Sequence, residues 1–155
     1  MSIDLQDRSS ARQHDRVIRR RLSLWQPAVP KHPALMALYR YWMSLCDTGL
    51  IPSRQDFDRS QVTAVMAAVT LVELGIADDD EFHPAEPQDE LVKQDCLAVR
   101  DIAMPLYHDI AALIDDVAHS YARLILPFAA DGRHVDRLMI GSAPQEFADL
   151  LKLLH

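Results

Sequence analysis

Cysteine, glycine and long apolar runs are what this chain has least of, and each shortage closes off a class of protein. Its 155 residues hold two cysteines, Cys46 and Cys96, in separate apolar contexts without C-x-x-C spacing. That excludes a disulfide scaffold and leaves two reduced thiols packed as small hydrophobes. Four glycines are too few for Gly-rich phosphate loops, and no Gly-x-Ser-x-Gly elbow occurs. The seven histidines show neither H-E-x-x-H nor H-x3-H spacing, the patterns by which a helix sets two imidazoles on one metal. No apolar run approaches the roughly 18 residues of a membrane span, and the first residues are polar rather than a secretory h-region. The expectation is a cytoplasmic protein with no metal, no cofactor and no catalytic constellation.

Charge is plentiful but uneven. The formal net charge is −7, which argues against nucleic acid as a partner of the whole surface. Residues 1–21 nevertheless carry Arg8, Arg12, Arg16, Arg19, Arg20 and Arg21 against Asp4, Asp7 and Asp15. This arm reads as a mobile segment turning helical toward its end, serving as a solvated extension or as a basic contact for an anionic partner. Pro27, Pro30 and Pro33 make the following stretch an extended linker. Residues 1–31 are therefore arm and linker, and 32–155 a single domain, long enough to bury roughly two thirds of its unfolded surface.

Within the domain, Pro33 opens a helix over 34–46 whose Leu35, Leu38, Tyr39, Trp42 and Leu45 form one apolar stripe, closed by Gly49. Ile51–Asp58 forms an irregular elbow, and a short helix follows over 59–67. Val69–Leu74 is β-branched and apolar, a strand ended by Gly75. The acidic run at 78–81 is a loop or short edge hairpin, without the alternating oxygen ligands of a calcium loop. Leu91, Val92, Asp95/Cys96, Val99, Ile102 and Ala103 follow helical spacing and give a helix of about four turns before Pro105. Leu106–Ile114 is a strand. A turn centred on Asp115-Asp116 then pairs His108 with Arg123 and Ala112 with His119. Leu124, Leu126 and Phe128 alternate at period two, Asp131-Gly132 turns the chain, and Val135–Ile140 runs back. Pro144 opens a last helix striped by Phe147, Leu150, Leu151 and Leu154. This order of elements is α+β rather than alternating βαβ.

Two residues offer themselves as bases: Glu73, the one acid inside an apolar strand, and His108 on a sheet strand. Leu38, Trp42, Phe147 and Leu151, on the two helical stripes, are the candidate partner interface. By periodicity, Leu74, Cys96, Val99, Tyr107, Leu126 and Ile140 are the candidates to face a small-molecule pocket.

Several of these segments together resemble a known family. His32-Pro33-Ala34-Leu35, Leu38-Tyr39-Arg40-Tyr41-Trp42, Ile51-Pro52-Ser53-Arg54-Gln55-Asp56-Phe57-Asp58, and Tyr121–Phe128 followed by Asp131-Gly132 and Val135-Asp136-Arg137 look like a PAS-domain family of stand-alone alphaproteobacterial proteins. The likeness covers about residues 32–74 and 96–143, with a shortened central region. It implies a five-stranded antiparallel sheet with helices on one face and flanking N- and C-terminal helices. The strands would lie near 69–75, 80–83, 105–114, 119–129 and 134–143, with helix 88–103 as the long connector. It further implies a non-catalytic sensory or regulatory module in bacterial signal transduction, acting through a protein partner or as a homodimer. The alternative is a small-molecule ligand sensor with its pocket between sheet and helices. A small α+β enzyme using Glu73 or His108 as a base is the third reading.

Overall fold

The computed structural model describes residues 16–22, 32–76, 89–114 and 117–144. Its architecture follows from strand β4 (Val117–Phe128), in which every residue from Ala122 to Phe128 is buried. A strand buried on both faces needs cover on both. β4 lies between β3 (Leu106–Ile114) and β5 (Arg137–Pro144). With β1 (Arg16–Leu22) and β2 (Thr70–Gly75) they form an antiparallel sheet of order β1-β3-β4-β5-β2. β3 and β4 pair in the register read from the sequence: His108 faces Arg123 and Ala112 faces His119.

Helix α1 (Pro33–Leu45) covers one face. His32 caps its start, with Nδ1 accepting from the Ala34 N–H at 3.2 Å, and Pro33 occupies the first turn, where no donor is missed. The stripe of Leu35, Leu38 and Trp42 packs on Tyr107, Leu124, Leu126, Phe128 and Met139. The helix stops at Cys46, whose backbone is already extended, before Gly49 is reached. Two 3-10 turns (Arg54–Asp56 and Arg59–Val62) and a short helix α2 (Thr63–Met66) take the place of the single helix expected over 59–67.

The opposite face is covered by helix α3 (Asp89–Ile102), the expected long connector. Val92, Cys96 and Val99 pack on Leu106, Ile125, Leu138 and Ile140. Ala103, at φ 60°, and Pro105 end it. Consecutive residues of β4 thus serve different cores, Leu124 and Leu126 under α1 and Ile125 under α3.

The β4–β5 connection is fixed by Asp131, which accepts from the N–H groups of Arg133 (2.9 Å) and His134 (2.7 Å). Those bonds and the His134 ring hold its carboxyl well below the usual carboxylate range. Gly132 follows at φ 80°, where a Cβ would be strained.

Two expectations need correction. The stretch read as an arm turning helical runs as β1 over its last residues, antiparallel to β3. The backbone edge of β3 supplies hydrogen-bond partners that no propensity count includes, and Val17-Ile18 suit a strand. Helices do not share one face: α3 takes one and α1 the other. Pro144 is the last residue of β5. The strand expected at 80–83 and the helix beyond Pro144 lie outside the described residues. No helix among the described residues is long and apolar enough to cross a membrane.

The approach of α1 is set by Gly141 in β5. A Cβ there would lie 3.0 Å from Leu38 Cδ2 and 3.3 Å from both Leu35 Cδ2 and Leu71 Cδ2. Gly141→Ala is expected to lower unfolding free energy by about 1–3 kcal/mol, the cost of overpacking a close-packed interior. Urea denaturation followed by circular dichroism reads the loss, and an unchanged midpoint would mean that α1 sits farther from the sheet.

Candidate functional site

Under α3 the sheet presents a polar row. The register aligns His108, Arg123, Ser142 and Thr70 across β3, β4, β5 and β2, and sets Arg21 of β1 across from His108. Arg123 is 1% exposed, a burial that a guanidinium tolerates only when paired. Its partner comes from the helix: Asp95 lies one residue before Cys96, on the inward side of α3, and is also buried. Arg123 Nη2 donates to Asp95 Oδ2 at 2.5 Å. His108, buried beside Arg123, places Nδ1 3.9 Å from the same oxygen. Among the described residues, the Nε of Arg123 has no hydrogen-bond acceptor.

A buried pair of this kind contributes little net stability, because desolvating two ions offsets their attraction. What it does supply is geometry. The apolar contacts of Val92, Cys96 and Val99 would tolerate sliding of the helix, whereas the pair admits one register of α3 on the sheet. The row is therefore an electrostatic fastening between connector helix and central strand.

The α1 face holds its own buried acid. Asp109, 1% exposed, accepts from the Tyr107 hydroxyl at 3.1 Å, while its Oδ2 has no hydrogen-bond partner among the described residues. The register sets Arg20 of β1 across from it. Two successive arginines of the basic arm thus stand across from two successive buried polar residues of β3.

The elbow is a clasp. Ser53 and Asp56 form a reciprocal capping box, and the Pro52 carbonyl accepts from the Ala129 N–H at 3.0 Å. Phe57 meets Tyr41 and Phe128 edge-on, at 5.0 and 5.8 Å between ring centroids. Arg54 lies over the Phe57 ring, donates from Nη1 to the Phe57 carbonyl at 3.0 Å, and donates from Nε to Glu73. Arg59 Nη2 stands 3.4 Å from the other Glu73 oxygen. Although burial pushes the Glu73 carboxyl up, the hydrogen bond and charge of Arg54, with Arg59 and Arg137, hold it below its usual value. A depressed carboxylate contributes stability above its unfolded pKa, roughly 4.3, and loses that contribution as pH falls through its folded value. Glu73→Gln is expected to be less stable than the parent at neutral pH and to flatten the acid limb of the stability profile. Urea midpoints at stepped pH measure this. An acid limb of unchanged steepness would place the acid sensitivity elsewhere.

The pocket candidates divide between the two faces. Leu74, Cys96, Val99 and Ile140 gather under α3, whereas Tyr107 and Leu126 belong to the core under α1. One cavity between sheet and connector helix cannot include all six, because a shift of one residue along a strand reverses the face. Leu38 and Trp42 are 0% and 6% exposed, so the stripe expected to meet a partner is covered by the chain's own sheet. Phe147 and Leu151 lie outside the described residues. Both cysteines are free thiols. Among the described residues, no three His, Cys, Asp or Glu side chains converge as a metal site requires.

Sequence reading had paired His108 with Arg123 but missed Asp95 as their partner. The signal available was its place, between Val92 and Cys96 on the apolar stripe of the helix. Compared with models of protein families, with curated proteins and with solved structures, the chain matches none.

Proposed function

We propose that the chain is a non-catalytic PAS-like regulatory module that relays a signal by self-association, with another signalling protein as the alternative partner. One observation carries this reading: the connector helix is fastened to the central strand by the buried Asp95–Arg123 pair. Such a pair fixes one arrangement of α3 at little gain in stability, which suits an element that must hold one state and yield to another. The sequence resemblance and an antiparallel sheet with a long connector helix across one face support it. Sedimentation of the full chain across the micromolar range tests it. An apparent mass that rises with concentration is expected, whereas a strict monomer that also captures no partner would sink the reading.

The ligand-sensor reading draws on a different detail, the Arg123 Nε that lacks an acceptor under α3 among the described residues. Native mass spectrometry of freshly purified protein separates the two readings. A bound small molecule would favour the sensor, and a bare chain the interaction module.

A further inference from the structure

Beyond α1, the same face of the sheet ends in a recess of about 350 Å³ lined by Ser53, Arg54, Gln55, Ala130, Asp136 and Arg137. We propose that this recess binds a small carboxylic acid carrying an adjacent hydroxyl or amino group, with Arg137 as the residue that grips the carboxylate.

The argument begins with the cations. Arg54, Arg59 and Arg137 all act on the single carboxylate of Glu73. Arg54 is committed through Nε to Glu73 and through Nη1 to the Phe57 carbonyl, and Arg59 stands against Glu73. Arg137 is different. Its side chain is exposed and, among the described residues, makes no hydrogen bond or ion pair. Its position is nevertheless held by the sheet, where it opens β5 with Phe128 across on one side and Gly75 on the other. A guanidinium carried on a fixed strand end, with its fork uncommitted among the described residues, matches a carboxylate in bidentate geometry.

The other walls narrow the chemistry. Five of the six lining residues are polar or charged, but most of the exposed lining is apolar stem, so hydrogen-bonding groups stand at a few points and fix a ligand's orientation. Ser53 Oγ accepts from the Gln55 N–H and keeps its own hydrogen to donate. Asp136 holds the Ala130 N–H at 3.2 Å through Oδ2, which fixes the carboxylate in the wall. Its negative charge penalises a dianion such as phosphate, and its remaining acceptor capacity suits a hydroxyl or ammonium beside the ligand's carboxylate. The site lies on the opposite face from the Asp95–Arg123 pair and does not depend on the regulatory reading.

The test is a titration of the isotopically labelled full chain with glycolate, glycine, acetate and inorganic phosphate, followed by amide chemical shifts. Saturable shifts at residues 53–55, 130 and 136–137 are expected with glycolate or glycine, weaker with acetate and weakest with phosphate. Arg137→Gln, at an exposed position, should weaken binding roughly tenfold, as loss of a charge-assisted bond does, and Arg137→Lys should fall between. Circular dichroism checks that both variants fold. Shifts that fail to saturate, tighter binding of phosphate than of either acid, or equal binding by Arg137→Gln would overturn the proposal.

Discussion

Asp95→Ala is expected to lower the unfolding free energy by about 3–5 kcal/mol, because it leaves a buried guanidinium uncompensated. Arg123 is 1% exposed and cannot recover water without lifting α3 from the sheet. His108, the nearest polar neighbour on β3, accepts at best through a neutral ring and offers no charge in return. The double change Asp95→Leu with Arg123→Met should behave in the opposite sense. It removes both ions, keeps comparable volume and leaves apolar groups beside Cys96, so its stability should equal or exceed that of the parent. Denaturant unfolding of the single and double variants measures the difference. A mild effect of Asp95→Ala, under about 1 kcal/mol as for an exposed pair, would mean that water reaches Arg123.

The second large effect belongs to Trp42, the largest side chain with which α1 grips the sheet. Its indole is 6% exposed, stacks on Tyr39 at 6.4 Å between centroids, and donates from Nε1 to the Pro127 carbonyl at 2.9 Å. Trp42→Ala removes packing against Leu126 and Phe128 and leaves a cavity, for a loss of about 3–5 kcal/mol. Trp42→Phe keeps most of the ring but not the donor, and should cost about 1–3 kcal/mol through the unsatisfied carbonyl. If Trp42→Ala also produced self-association beyond that of the parent, the face under α1 would be the hidden interface. Unfolding alone, without association, is the expected result. Circular dichroism melts paired with sedimentation read both quantities.

Much of this fold was legible in the chain because local punctuation and tertiary placement agree. Pro33 and Pro105 mark where α1 begins and where α3 has ended, and Asp131-Gly132 marks the last turn. Counting outward from Asp115-Asp116 in the sequence was enough to pair His108 with Arg123, the register that β3 and β4 adopt. What counting could not give is which helix covers which face. Leu124, Ile125 and Leu126 are all apolar, so period two separates the faces without saying which one α3 takes, and the six pocket candidates divide between the cores under α1 and α3. Asp95 was hidden for a related reason: a carboxylate on an apolar stripe shows its partner only when strand and helix meet in space. β1 was hidden because three consecutive arginines read as solvated chain until the open edge of β3 is known. The elbow was legible as a motif, but its work as a clasp through Arg54 and Glu73 is a contact between segments 19 residues apart.

The central claim is that self-association and the fastening of α3 are coupled, and by linkage each must then shift the other. Amide hydrogen exchange in α3, measured on the full chain at rising protein concentration, tests this most directly. Protection at Val92–Val99 should change as the associated form fills, and the change should vanish in the Asp95→Leu, Arg123→Met double variant. Protection that stays constant while the parent associates would contradict the account.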